Sequence, residues 1–148
     1  MLYSVYAHYV TSGNLLLGTF KEEAGNSDVL LEALKADDNF GTRVKMLYET
    51  TLSGHPLPKE IVNILTHEDK ISLLELKKKS LRVLFFIDND GLDIMSRHSV
   101  RAIVFLAMFH KETPKTPKGI IKTALELRSK YLKSKAEGRL RIEVIKYE

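Results

Sequence analysis

The sequence predicts an α+β domain, with N-terminal helices packed on a mostly antiparallel sheet and a helix toward the C-terminus. Three observations predict it. Apolar residues recur at helical spacing between Val29 and Leu52. From Ile71 to Phe109 the pattern changes to β-rich runs that alternate or are wholly apolar. At Thr116-Pro117 a second helical pattern begins.

Taken in order, Leu2 to Val10 is rich in Tyr and Val and reads as a strand, with Thr11-Ser12-Gly13-Asn14 as its turn. Leu15 to Phe20 reads as a second short strand. Asn26-Ser27-Asp28 offers N-caps for a helix carrying Val29, Leu30, Leu31 and Leu34, closed by Asp37-Asp38-Asn39. A second helix is expected from Phe40 to Leu52, burying Phe40, Val44, Leu47 and Tyr48 and stopped at Gly54-His55-Pro56. A short turn of helix is expected over Pro58–Leu65, with Pro58 at its first position.

Ile71–Leu76 and Leu81–Asp88 read as neighbouring strands joined at Lys77-Lys78-Lys79-Ser80. Asp88-Asn89-Asp90-Gly91 is a turn signal, because Asn and Gly tolerate positive φ. Val100 to Phe109 is almost continuously apolar, which predicts a strand covered on both faces at the centre of the sheet. Thr116 is the expected N-cap and Pro117 the first helical residue of the closing helix, with Ile120, Ile121, Ala124, Leu125, Tyr131 and Leu132 as its buried stripe. Arg139 to Tyr147 alternates charged and apolar residues and reads as an edge strand.

Length and composition suit one domain over residues 1–148, large enough to bury a core unaided. The absence of Cys excludes disulfides and Cys-ligated zinc, and fits a reducing compartment. Met1 to Tyr6 lacks the basic leader of a secretory signal, and Ala102–Phe109, the longest apolar run, is too short to span a bilayer. A cytoplasmic protein with no membrane partner is therefore expected. The net charge of +4 is unevenly spread: residues 1–69 hold 5 Lys/Arg against 10 Asp/Glu, and residues 70–148 hold 18 against 9. The second half, at net +9, is thus expected to face a polyanion.

Two segments concentrate that charge where chemistry could use it. In Leu81-Arg82-Val83-Leu84-Phe85-Phe86, period two puts Arg82 on one face with Leu84 and Phe86, so it must reach solvent or an anion. The anion is either a phosphate or a structural partner such as Glu75 across the hairpin. In Phe109-His110-Lys111-Glu112-Thr113-Pro114-Lys115-Thr116-Pro117-Lys118, a central strand ends in basic residues and feeds a helix N-terminus, which favours anions. His8, His55, His67 and His98 show no ligand spacing, so no metal or other cofactor is expected. Asp88–Gly91 is no calcium loop, since its twelfth position is Ser99 rather than Glu. No phosphate-binding Gly loop or nucleophile elbow occurs.

In order, Leu73-Leu74-Glu75-Leu76-Lys77, Leu81-Arg82-Val83-Leu84-Phe85, Phe109-His110-Lys111-Glu112-Thr113 and Lys115-Thr116-Pro117 resemble four motifs of the RelE/ParE toxin superfamily, HigB-like phage-related branch. Ala124, Arg128 and Tyr131 resemble its closing helix, and the resemblance covers about residues 71–133. It implies a microbial-ribonuclease-like fold and metal-independent cleavage of messenger RNA, often on the ribosome. It also implies a cognate helix-turn-helix antitoxin. Carried over residue by residue, it implies Arg82 and Lys111 as phosphate and transition-state donors with Lys77 beside them, and Tyr131 or His110 in proton transfer or base stacking. Lys78, Lys79, Lys115, Lys118, Lys122 and Arg128 are the expected RNA contacts. The chain departs from the branch at Lys77, usually Arg, and at Glu112, usually Lys. The other readings are a non-catalytic or ParE-like binding module with a different target, and a phage accessory protein that neutralises nucleic acid.

Overall fold

The computed structural model describes residues 3–11, 15–22, 28–66, 71–94, 98–112 and 115–144. They form a seven-stranded mixed sheet with helices on both faces. In chain order the elements are β1 (Tyr3–Thr11), β2 (Leu15–Glu22), α1 (Val29–Ala36), α2 (Phe40–Ser53), β3 (Val62–Ile64), β4 (Leu74–Lys78), β5 (Leu81–Ile94), β6 (His98–His110), α3 (Lys118–Ala136) and β7 (Leu140–Val144). The sheet order is β3-β4-β5-β6-β2-β1-β7. Four neighbouring pairs are antiparallel, while β2–β6 and β1–β7 are parallel. The α+β expectation holds, and the apolar run in β6 does occupy the middle of the sheet.

Two hydrophobic layers follow from strand alternation. Leu81, Val83 and Phe85 of β5 face α1 and α2, packing with Phe40, Leu47 and Phe105. Leu84 and Phe86 point the other way, with Val104, Ala124 and Tyr131 beneath α3. Asp28 caps α1 by accepting from the Leu31 N–H, and Gly54 ends α2 in the left-handed conformation at φ 73°.

Several expectations are corrected. Pro58–Leu65 is not helical: Ile61 and Val62 donate to the Pro58 carbonyl in a turn, and β3 then pairs with β4. The β-branched residues Val62 and Ile64 gain more on a sheet edge than in one isolated helical turn. Asp88–Gly91 does not end a strand, because β5 continues to Ile94 through a bulge. The Gly91 N–H bonds Asp88 Oδ1 and Gly91 sits at φ 78°, so the turn chemistry kinks the strand instead of reversing it. A Cβ on Gly91 would lie 2.4 Å from the Val100 carbonyl oxygen. The first of the expected neighbouring strands begins later, at Leu74, and runs to Lys78. The closing helix begins at Lys118, with Pro117 at the cap and no side-chain cap bond. Its buried residues are Ala124, Arg128, Tyr131 and Ser134, with Ile120, Ile121, Leu125 and Leu132 only partly covered. The last strand is an edge, as expected, and is described over Leu140–Val144. Leu2, Ser12-Gly13-Asn14, Asn26-Ser27, Thr113-Pro114 and residues 145–148 lie outside the described residues.

Candidate functional site: a basic sheet end around a buried carboxylate

The hairpin β4–β5 turns through only Lys79 and Ser80, and Lys79 takes φ 54° to make that turn. Register then sets the neighbours. Lys77, Arg82 and Phe109 form one row across β4, β5 and β6, on the face beneath α3. Lys111 follows at the strand end, where its N–H donates to the Ser80 carbonyl at 2.7 Å. The next row, Lys78, Leu81 and His110, faces α1 and α2. The expected site is therefore split by the sheet. Lys77 and Arg82 fall on one side, Lys78 and His110 on the other, and Lys111 follows just past the end of β6.

Glu75 lies at the centre of the first side and is fully buried. Its Oε1 accepts from Asn63 Nδ2 at 3.1 Å, and its Oε2 accepts from the Thr116 hydroxyl at 2.7 Å. Arg82 Nε stands 3.5 Å from Oε1 as an ion pair, but that buried nitrogen makes no hydrogen bond within the described residues. Arg82 Nη1 donates to the Lys79 and Leu81 carbonyls. The guanidinium is thus held by the hairpin turn and only loosely engaged by Glu75. Lys77 Nζ donates to Asn63 Oδ1 at 3.1 Å, so Asn63 bridges the two charges. Thr116, expected as a helix cap, spends its hydroxyl on Glu75 and ties the start of α3 to the sheet.

The remaining predicted residues separate. Lys78 is paired with Asp37 at 2.6 Å, and this lysine, foremost among the causes, holds the Asp37 carboxyl below its usual range. Lys79, Lys115, Lys118 and Lys122 are exposed, and Lys118 and Lys122 flank an open groove of about 670 Å³ on the outer face of α3. Arg128 is buried and donates through Nη1 to the Ile71 carbonyl, which makes it a clamp between α3 and the segment that leads into β4. Tyr131 is fully buried, and its hydroxyl donates to Asp88 Oδ2 at 2.8 Å. Burial, then the charge and hydrogen bond of Asp88, push its ionisation far above the ordinary tyrosine range. The structure does not bring Arg128 or Tyr131 to the cluster at Lys77, Arg82 and Lys111.

Sequence reasoning named Glu75 only as a possible partner for Arg82, and gave no part to Asn63. The signal was present in the period: Glu75 alternates with Leu74 and Leu76, so it stands on the face that Leu84 and Phe86 make apolar on the neighbouring strand. A carboxylate there must find donors. Elsewhere, His8 Nε2 lies 2.5 Å from Asp28 Oδ2, joining β1 to the cap of α1. Burial opposes ionisation of Asp28, yet the hydrogen bonds from His8 and Thr19 and the His8 charge hold its carboxyl below the usual range. Among the described residues no three His, Asp or Glu side chains converge as metal ligands, and no helix is long and apolar enough to cross a membrane.

Chemically, the sheet end offers two lysines beside an arginine that is 13% exposed and only loosely engaged by Glu75. A phosphodiester meets such a site through its non-bridging oxygens, and any charge that develops on those oxygens strengthens the contact. No protein-family model and no curated protein matches the chain.

Proposed function

We propose that the chain is a toxin of a type II toxin–antitoxin pair, RelE/HigB-like in fold, that acts as a metal-independent endoribonuclease on messenger RNA. The observation that carries the reading is the row Lys77, Arg82 and Phe109 across three strands, closed at its end by Lys111. The order of elements also supports it: β2, α1 and α2 precede the antiparallel β4-β5-β6 meander and then α3. In the proposed reaction the ribose 2′ hydroxyl gives its proton to solvent and attacks the adjacent phosphorus, and the bond to the 5′ oxygen breaks as that oxygen takes a proton from solvent. The products are a 2′,3′-cyclic phosphate and a 5′ hydroxyl. Lys77, Arg82 and Lys111 stabilise the negative charge of the phosphorane more than that of the substrate. Phe109, half-buried in the same row, offers an apolar surface for a base. The partners are messenger RNA and a helix-turn-helix antitoxin that neutralises the toxin.

Purified protein incubated with messenger RNA, with and without ribosomes and in the presence of a chelator, tests this directly. Cyclic phosphate ends that disappear in Arg82→Ala support it. Intact RNA in both incubations refutes the enzymatic reading.

A second reading is a binding module that holds nucleic acid or another target without cleaving it. The ion pair from Arg82 to Glu75 and the burial of Tyr131 favour it, since both remove side chains from the reacting surface. Salt-dependent RNA binding without cleavage is the result that would select this reading.

A further inference from the structure

We propose that Glu75 is an internal counter-anion for Arg82, and that a phosphodiester of bound RNA displaces it; the inference rests on the nucleic-acid reading above. Three observations carry it. Glu75 is fully buried, yet its two firm hydrogen bonds come from neutral groups, Asn63 and Thr116. The cation beside it, Arg82, approaches to 3.5 Å without hydrogen-bond alignment, leaving Nε buried and unbonded within the described residues. Arg82 is fixed instead by backbone: Nη1 caps the carbonyls of the Lys79–Ser80 turn and of Leu81.

Glu75 therefore does not need Arg82 for hydrogen bonding, and Arg82 does not need Glu75 for its position. The two are joined by charge. A phosphate oxygen offers Arg82 the same charge with an aligned acceptor, and a guanidinium fork matches phosphate geometry. The exchange involves no bond breaking and no proton: Arg82 gains a phosphate acceptor, and Glu75 keeps its bonds from Asn63 and Thr116. Asn63 also accepts from Lys77, so Glu75, Asn63 and Lys77 form a second path along which the carboxylate's charge is neutralised once phosphate engages Arg82. In the RNA-free protein Glu75 weakens the positive field of the site, and Thr116 carries its state to the start of α3. Glu75 is a positioning residue in this account.

The test uses a short 2′-O-methyl oligoribonucleotide, which cannot be cleaved, and the full chain. In the wild type, the ¹⁵N resonance of Arg82 Nε shifts as the oligonucleotide is added. Glu75→Gln keeps an acceptor for one neighbour but removes the charge. It is expected to bind the oligonucleotide about tenfold more tightly, the scale of one charged hydrogen bond. Its log–log salt slope is expected to stay at the wild-type value, because the Arg82–phosphate contact is already made in the wild-type complex. A folded Glu75→Gln protein with unchanged or weaker binding overturns the proposal, as does an Arg82 Nε resonance that stays put at saturation. Should Glu75→Gln not fold, the wild-type resonance decides alone. If the oligonucleotide does not bind but inorganic phosphate moves Arg82 Nε, the exchange stands and the RNA reading falls. If neither moves it, the exchange itself is refuted.

Discussion

Two buried carboxylates lie under α3, Glu75 on β4 and Asp88 on β5, and they are built from similar parts with opposite results. Asp88 accepts from the Gly91 N–H at 3.0 Å, the Tyr131 hydroxyl at 2.8 Å and Lys135 Nζ at 2.7 Å. Every partner is aligned, and the cluster staples α3 to the bulge in β5. Glu75 has a hydroxyl and a cation too, but its cation is misaligned and Lys77 reaches it only through Asn63. A fully satisfied network fixes structure, whereas a partly satisfied one leaves charge available to a ligand.

The largest effect is expected at Asp88. Asp88→Ala leaves Lys135 and Tyr131 facing a gap, and is expected to cost about 3 kcal/mol, because one partner of a buried pair is removed while the other is partly exposed. Chemical denaturation measures it, and a loss no larger than that of Glu75→Gln would erase the distinction between the two clusters. Gly91→Ala follows at about 2 kcal/mol or more, since Ala at positive φ is strained and its Cβ meets the Val100 carbonyl. Tyr131→Phe should cost about 1–2 kcal/mol through one lost buried hydrogen bond. It also removes a pH dependence. Tyr131 ionises far higher folded than unfolded, so its contribution is complete below about pH 10 and is lost as pH rises beyond it. Denaturation midpoints across alkaline pH should fall more steeply in the wild type than in Tyr131→Phe.

On the Glu75 side the effects should appear in binding. Lys77→Ala and Lys111→Ala are each expected to lower the log–log salt slope for single-stranded RNA by about 0.7 with little change in stability. Nitrocellulose or fluorescence titration at several salt concentrations reads this, and a loss of stability in place of slope would make these lysines structural. The smallest effect concerns Asp28, remote from both clusters. Its carboxyl ionises more readily folded than unfolded, so its stabilisation is present above about pH 4 and is lost as pH falls below. His8→Gln should flatten that acid limb, as judged by thermal melts between acidic and neutral pH.

Much of the scaffold was legible because its signals are local. The caps at Asp28 and Gly54, the two helices and the doubly covered β6 all follow from residue type and period. The errors came where tertiary structure overrode a local signal. Asp88-Asn89-Asp90-Gly91 has the chemistry of a turn, but its carboxylate is held by Tyr131 and Lys135, far along the chain, and the strand continues. Thr116 has the chemistry of a cap, but a buried Glu75 needs its hydroxyl more. The basic residues of the site were legible one by one. Their division by the sheet into two faces depended on the register of β4, β5 and β6, which no single segment carries. Tyr131 is buried on the stripe its helical spacing predicts, but its hydroxyl goes to Asp88 on β5, and Arg128, expected to contact RNA, is buried beside the same helix face; neither tertiary partner is written in the local pattern.

The place of β2 has a consequence for the order of events during synthesis. β2 is held between β1 and β6, and its partner in β6 runs from Arg101 to Phe105, far later in the chain. The N-terminal hairpin and both early helices therefore leave the ribosome before the strand that completes their sheet exists. Closing this long-range parallel pair is a late and slow step. Lys111 comes to rest beside the hairpin at Lys79–Ser80 only when β6 pairs with β5. A nascent chain is thus without its assembled cationic site until synthesis has passed Lys111, and any partner that traps β6 early would keep the site from forming at all.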